Sequence, residues 1–144
     1  MPVGLPSVSQ LTQIISEVAA PAFLLGAVAS FVALLVSRMN RIIDRLQALN
    51  AISDEDVSRA RLKADVPRLR RRAAYLNRSI LLSTISAIVT SLLVIISFLS
   101  ASLGIEHQYG VAILFIVALG FFTASLVELA REIGISLNEL DYYR

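Results

Sequence analysis

The apolar positions of this chain are gathered into three long blocks and do not alternate with polar positions. The blocks run over residues 18–36, 80–103 and 110–127, and none of them contains an acidic or basic side chain. About 20 helical residues cross the ~30 Å hydrocarbon core of a bilayer, where each backbone polar group must be bonded within its own segment. The pattern therefore predicts an all-α integral membrane protein with three transmembrane helices.

A cleavable signal peptide is the alternative explanation for the first block. No basic residue precedes the block, and its apolar run is longer than the core of such a peptide. We therefore expect this block to be retained as a span.

Charge is distributed as unevenly as hydrophobicity. Residues 38–78 carry eleven of the thirteen Lys and Arg residues, whereas residues 1–17 and 104–109 carry none. Short loops rich in positive charge stay in the cytoplasm, so the amino terminus is predicted outside and the carboxy terminus inside. The predicted segments are an outer amphipathic segment (1–17), transmembrane helix 1 (18–37), a cytoplasmic basic helical hairpin (38–78), transmembrane helix 2 (79–103), an outer turn (104–109), transmembrane helix 3 (110–127) and a cytoplasmic tail (128–144).

The loop between the first two spans has a helical pattern of its own. Apolar residues spaced three and four apart over 39–49 continue the first helix to about Asn50, and a heptad pattern runs over 62–80. Pro67 interrupts that heptad pattern and is expected to restart the helix. We predict two antiparallel helical arms, coiled-coil-like, with a short helix over 54–66 at their tip.

The end of the chain carries two helix signals. Gly134 is expected to stop the third helix, because glycine is the usual residue at a helix carboxyl end. Ser136 and Glu139 have the spacing of a capping box, which predicts a separate short helix near the inner membrane surface.

Three stretches together resemble a known family. The runs "SRMNRIIDRLQAL", "RLRRRAAYLNRSI" and "ELAREI" are similar to those of small bacterial inner-membrane proteins with three spans and a basic cytoplasmic hairpin, a family classified only as a domain of unknown function. The resemblance covers roughly residues 10–142. It implies a bacterial source and location in the inner (cytoplasmic) membrane, and it implies no activity, cofactor or catalytic residue.

The residues give little support to catalysis. The chain contains no cysteine and one histidine, His107, which lies beside Glu106 in the outer turn. A catalytic metal takes about three protein ligands, and this turn offers two. We therefore predict no catalytic residue, no metal site and no bound cofactor. Glu17 is the other outer acid, and whether the outer acids form a ring is left open.

Ionisable groups are confined to the ends of the predicted spans. Ion-coupled carriers keep such groups within the membrane, and here none lies in the middle of a span. Glu128 is predicted at the inner end of the third span, near the depth of Arg38 and Arg78. An ion pair among these three is the first interpretation, and a gate or proton site is the alternative.

The second span is rich in hydroxyl groups. Between Ser79 and Ser102 it contains nine Ser or Thr residues. Five of them fall on one helical face and are called the hydroxyl stripe: Ser79, Ser83, Ser86, Thr90 and Ser97. Small hydroxylated residues pack helices together, or they line a polar conduit when several copies surround an axis. Both explanations remain open.

Small residues spaced four apart occur in the other two spans. Gly26 and Ser30 in the first span, and Gly120 and Ala124 in the third, are typical of close helix packing. Three helices do not enclose a pore, so any conduit requires a homo-oligomer, and self-association is expected.

An arginine cluster precedes the second span. Its members are Arg68, Arg70, Arg71 and Arg72. Setting topology is the first interpretation, binding of anionic lipid is the second, and a positive vestibule follows if copies cluster. Nucleic-acid binding is disfavoured, because only Tyr75 is near enough to stack on a base.

Two functional hypotheses follow. In the first, the protein is a homo-oligomeric channel for small ions, lined by the hydroxyl stripe. In the second, it is a non-conducting membrane scaffold or regulatory subunit that binds a partner through its cytoplasmic arms.

Overall fold

A computed structural model describes residues 7–106 and 108–142, and within them it consists of helices and turns. The elements are α1 (Val8–Asn50), α2 (Val57–Ala60), a 3₁₀ helix (Arg61–Asp65), α3 (Val66–Leu103) and α4 (Gln108–Tyr142). Three helices are long and apolar enough to cross a membrane, which confirms the predicted all-α class. α3 packs against both α1 and α4 and is the central helix of the bundle.

The first helix begins well before the apolar block. Ser7 caps it, because its hydroxyl accepts a hydrogen bond from the Gln10 backbone amide while the Gln10 side chain accepts one from the Ser7 amide. α1 then continues without a break through Pro21 to Asn50. The segment preceding the first span is therefore the start of the same helix.

α1 and α3 extend past their apolar blocks and form a helical hairpin over residues 38–78. The hairpin core consists of Ile42 and Leu49 from α1 and of Leu69 and Leu76 from α3, and it continues into the first apolar block at Leu35; all five are buried. Ile42 and Leu49, like Leu69 and Leu76, are seven positions apart, as in coiled coils. The predicted pair of arms is therefore present, and the apolar face of each arm is buried against the other arm.

The local sequence explains the structure at the tip of the hairpin and at the starts of α2 and α3. Pro67 occupies the first turn of α3. Backbone amides there have no acceptor within the helix, so a proline, which has no amide hydrogen, costs no hydrogen bond. The predicted tip helix is divided into α2 and the 3₁₀ helix. Asp56 and Asp65 precede α2 and α3, but neither side chain makes a capping hydrogen bond.

Two glycines behave differently at the ends of helices. Gly104 ends α3 with a φ of 66°, a left-handed conformation that favours glycine, and the Gly104 and Ile105 amides both donate to the Ser100 carbonyl. The predicted stop at Gly134, by contrast, is wrong, because α4 runs through it to Tyr142. The separate short helix at Ser136 is wrong for the same reason. A glycine inside a helix costs about 1 kcal/mol, which is too little by itself to end a helix of this length.

Candidate functional site

The hydroxyl stripe of α3 is mostly buried against α4. Ser79, Ser83, Ser86 and Thr90 have no exposed side-chain surface. The fifth member, Ser97, is half-buried and donates to the Leu93 carbonyl of its own helix. The stripe therefore has two parts, a buried one at residues 79–90 and a more open one at Ser97.

Hydrogen bonds across the α3–α4 contact explain this burial. The Ser79 hydroxyl donates to the Ser125 carbonyl at 2.8 Å, and the Ser125 hydroxyl donates to the Ser79 carbonyl at 2.8 Å. Ser83 also contacts the Ser125 hydroxyl, and Ser86 donates to the Ala118 carbonyl at 2.7 Å. Bonds from side chains to the opposite backbone require closely approaching helices. The arrangement favours packing as the role of these residues.

Ser125 is the partner that sequence reasoning missed. It is fully buried on α4 and is one of two hydroxylated residues in the third apolar block. A single serine in an apolar helix, opposite a helix with a hydroxyl face, is the signal that identifies it. Thr90 contributes nothing across this contact, since its hydroxyl donates to the Ser86 carbonyl of its own helix.

A buried acid joins all three long helices at the hairpin end of the bundle. Glu132 of α4 has no exposed surface. One of its carboxylate oxygens accepts from Arg38 of α1 at 2.6 Å, and the other accepts from Arg72 of α3 at 2.8 Å. A buried carboxylate with both oxygens bonded to guanidinium groups is compensated, whereas an unpaired one is strongly destabilising. We call this group the Arg38–Glu132–Arg72 triad.

The triad corrects the predicted ion pair among Arg38, Arg78 and Glu128. Arg38 bonds to Glu132, whereas Glu128 bonds to Arg131, three positions along its own helix, at 3.1 Å. Arg78 is exposed and forms no ion pair with any of the described residues. Glu132 follows Glu128 by one helical turn and is fully buried.

The arginines of the cluster at the start of α3 lie in different environments. Arg72 turns into the bundle and is part of the triad, whereas Arg70 and Arg71 are exposed. Arg68 and Arg71 line a shallow groove of about 350 Å³ between α3 and α4, together with Asn138. Only part of the cluster is therefore available to an external anion.

The small residues of the first and third spans do not pack within this chain. Gly26, Ser30 and Gly120 are exposed, and Ala124 is half-buried. A Cβ atom added at Gly26 or at Gly120 would meet no atom within 4 Å. Their predicted role in helix packing therefore does not apply to contacts among the three helices, and a role between copies stays a prediction.

The tip of the hairpin carries an exposed apolar surface among charged side chains. Val57 is 82% exposed and Leu62 is 48% exposed. Beside them, Lys63 donates a hydrogen bond to Asp54, and this bond together with the adjacent positive charge lowers the pKa of the Asp54 carboxyl. The tip is thus ordered by local ion pairs without burying its apolar residues.

These features define a membrane protein with transmembrane helices, held together by buried polar contacts and extended into a helical hairpin. The described residues contain no group of three or more His, Cys, Asp or Glu side chains placed to hold a metal ion, and His107 lies outside them. The model of a family described as "Protein of unknown function (DUF2721)" matches residues 18–142. The chain belongs to this family, as the resemblance predicted. No curated protein and no solved structure matches the chain.

Proposed function

We propose that this protein is a non-conducting membrane scaffold or regulatory subunit, and that its hairpin binds a partner protein. The observation that carries the proposal is the exposed apolar tip, Val57 and Leu62, at the end of a hairpin whose own core is complete. A hairpin that served only to connect two spans would not need an ordered core or an apolar tip.

The reach of the hairpin supports a protein partner over a lipid contact. Residues 38–50 of α1 extend about 20 Å beyond the apolar block, at ~1.5 Å per residue. The headgroup layer occupies only about 5–8 Å on each side of the hydrocarbon core. The tip therefore lies beyond the reach of lipid headgroups, which favours a protein as the occupant of its apolar surface.

The sides of the hairpin indicate the chemistry of that partner. Arg41, Arg70 and Arg71 are exposed there, with Asp44 as an exposed acid between them. A basic flank next to an apolar tip is complementary to a partner surface that combines acidic side chains with an apolar pocket. Arg78, directly below the apolar block, is the residue of this region best placed to meet anionic headgroups.

The proposal includes a location and an orientation. The eleven basic residues of segment 38–78 support a cytoplasmic hairpin with the amino terminus outside, and the family resemblance supports a bacterial inner membrane. Self-association is also proposed, on the exposed small residues Gly26 and Gly120.

The channel hypothesis has less support from the geometry. A pore lined by the hydroxyl stripe needs these hydroxyls to face an axis outside the subunit. Three of them, Ser79, Ser83 and Ser86, bond to α4 instead, and these three and Thr90 have no exposed surface. Conduction along the stripe would therefore require α3 and α4 to separate.

Site-specific photo-crosslinking tests the partner proposal. A photoreactive residue is placed at Val57 or Leu62 in the full chain in native membranes, and at Leu103 as a control, an exposed leucine at the opposite end of α3. We expect positions 57 and 62 to give the same adduct with one other protein, and position 103 not to give it. Reversing charge by Arg70→Glu and Arg71→Glu should lower the adduct yield.

Two outcomes would contradict the proposal. One is that positions 57 and 62 give no adduct other than those that position 103 also gives. The other is an adduct of twice the mass of the chain, which would show that a second copy occupies the tip.

A further inference from the structure

A large cavity lies at the end of the bundle opposite the hairpin. Its volume is about 650 Å³, within the range of about 300–1,000 Å³ that is typical of small-molecule sites. It is bounded by the first part of α1, by the last turns of α3 and by the start of α4. From Gly104 at its rim to Leu93 at its floor, α3 descends about 15 Å, roughly half the thickness of a bilayer core.

The polar lining of this cavity has a single charge sign. Glu17 of α1 and Glu106 of the α3–α4 turn both line it, and among the described residues no Lys or Arg does. Gln13 donates a hydrogen bond to Glu17 at 3.1 Å, which holds that carboxylate in position while its other oxygen remains available. The cavity also receives Ser97, the member of the hydroxyl stripe that is not sealed against α4.

The floor of the cavity is apolar. Pro21 of α1, Leu93 of α3 and Phe115 of α4 line its deeper part, and Leu93 is buried. An aromatic face below two carboxylates is a favourable setting for a positively charged ligand with an apolar body. A lipid acyl chain would leave the acids and amides of the walls without partners.

We propose that this cavity binds a small organic cation that has an apolar body, held by Glu17 and Glu106 above Phe115. The site is independent of the hairpin, so its test does not depend on the partner proposed above.

The test compares two probes of nearly equal shape and opposite charge, tetraphenylphosphonium and tetraphenylborate. The full chain is placed in nanodiscs of zwitterionic lipid, and empty nanodiscs provide the correction for partitioning into lipid. Isothermal titration calorimetry then measures binding. We expect saturable binding of the cation at one site per chain and no saturable binding of the anion.

Variants separate the site from adventitious binding. Glu17→Gln and Glu106→Gln should each weaken cation binding by about tenfold, since each removes one charged contact. Glu55→Gln removes the same charge from the exposed hairpin tip and should leave the affinity unchanged. Ala101→Leu, which narrows the cavity from α3 without changing charge, should weaken binding.

Three results would overturn the proposal. They are absence of saturable cation binding, equal binding of the two probes, and an affinity that is unaffected by both Glu17→Gln and Glu106→Gln in protein with unchanged helical circular dichroism.

Discussion

Arg38 and Glu132 lie 94 positions apart in the chain, yet the Arg38 guanidinium donates to the Glu132 carboxylate at 2.6 Å. Glu132 is fully buried, and its second oxygen is bonded to Arg72. One side chain thus joins the first and last long helices to the central one, at the level where the hairpin leaves the bundle. The contact makes the position of the hairpin dependent on α4.

Glu132→Gln is predicted to destabilise the protein strongly. The substitution removes the negative charge that Arg38 and Arg72 share, and breaking such a buried pair costs about 3 kcal/mol, since Arg38 retains partial solvent access. Unfolding by SDS in mixed micelles, followed by circular dichroism, measures the change. Glu128→Gln is the matched control, and it should cost less than about 1 kcal/mol because its partner Arg131 is exposed. Equal effects of the two substitutions would show that the triad is not the anchor of the bundle.

Ser125→Ala is predicted to loosen the α3–α4 contact. It removes the Ser125 hydroxyl, which donates to the Ser79 carbonyl and contacts the Ser83 hydroxyl. Hydrogen bonds between membrane helices contribute about 0.6–2 kcal/mol each, so we expect a loss of about 1–2 kcal/mol in the same unfolding assay. Ser91→Ala is the control, because Ser91 is exposed and bonds only within its own helix. If Ser91→Ala is as destabilising as Ser125→Ala, the stripe has no special role in packing.

Much of this architecture is predictable from the sequence, because it depends on strong periodic signals. Three long uncharged blocks define the spans, and heptad spacing over 39–49 and 62–80 predicts the arms. Neither pattern depends on the exact rotation of a helix about its own axis. The outline of the fold therefore requires no knowledge of three-dimensional contacts.

The buried polar contacts are less predictable, since they depend on the rotation of each helix. Glu128 and Glu132 are one turn apart on α4, and only packing decides that Glu132 faces Arg38 and Arg72. The same reason explains why Ser125 was missed. The continuation of α4 through Gly134 is a third case, because tertiary packing overrides a weak local stop signal.

Labelling of single cysteines is predicted to place the two ends of the bundle on opposite sides of the membrane. The chain contains no cysteine, so each variant reports one position. Ser58→Cys at the hairpin tip should react with an impermeant maleimide only after the cells are permeabilised. Gln108→Cys at the start of α4 should react in intact cells. The reverse pattern would contradict the orientation inferred from the basic hairpin.

The hairpin tip is predicted to lose the contact between Asp54 and Lys63 at acid pH. Lys63 lowers the pKa of this carboxyl through a hydrogen bond and through its charge. A lowered pKa in the folded state means that the contact stabilises the tip above the ordinary pKa of aspartate and is lost as the pH falls through the lower, folded value. The loss is therefore confined to below about pH 4.

A carboxyl ¹³C NMR titration of Asp-labelled protein, with Asp54→Asn for assignment, measures this pKa. Lys63→Met should raise it towards the ordinary value of aspartate. If the titration of Asp54 is the same in Lys63→Met as in the unsubstituted protein, the contact does not form.

The ion permeability of the purified protein in liposomes tests the central claim most directly, namely that the hydroxyl stripe packs the bundle and does not line a pore. With ion gradients and voltages of either sign, the account predicts no flux above that of protein-free liposomes, in the unsubstituted protein and in Ser86→Leu and Thr90→Leu alike. A flux that appears with the unsubstituted protein and disappears in both of these variants would contradict the account.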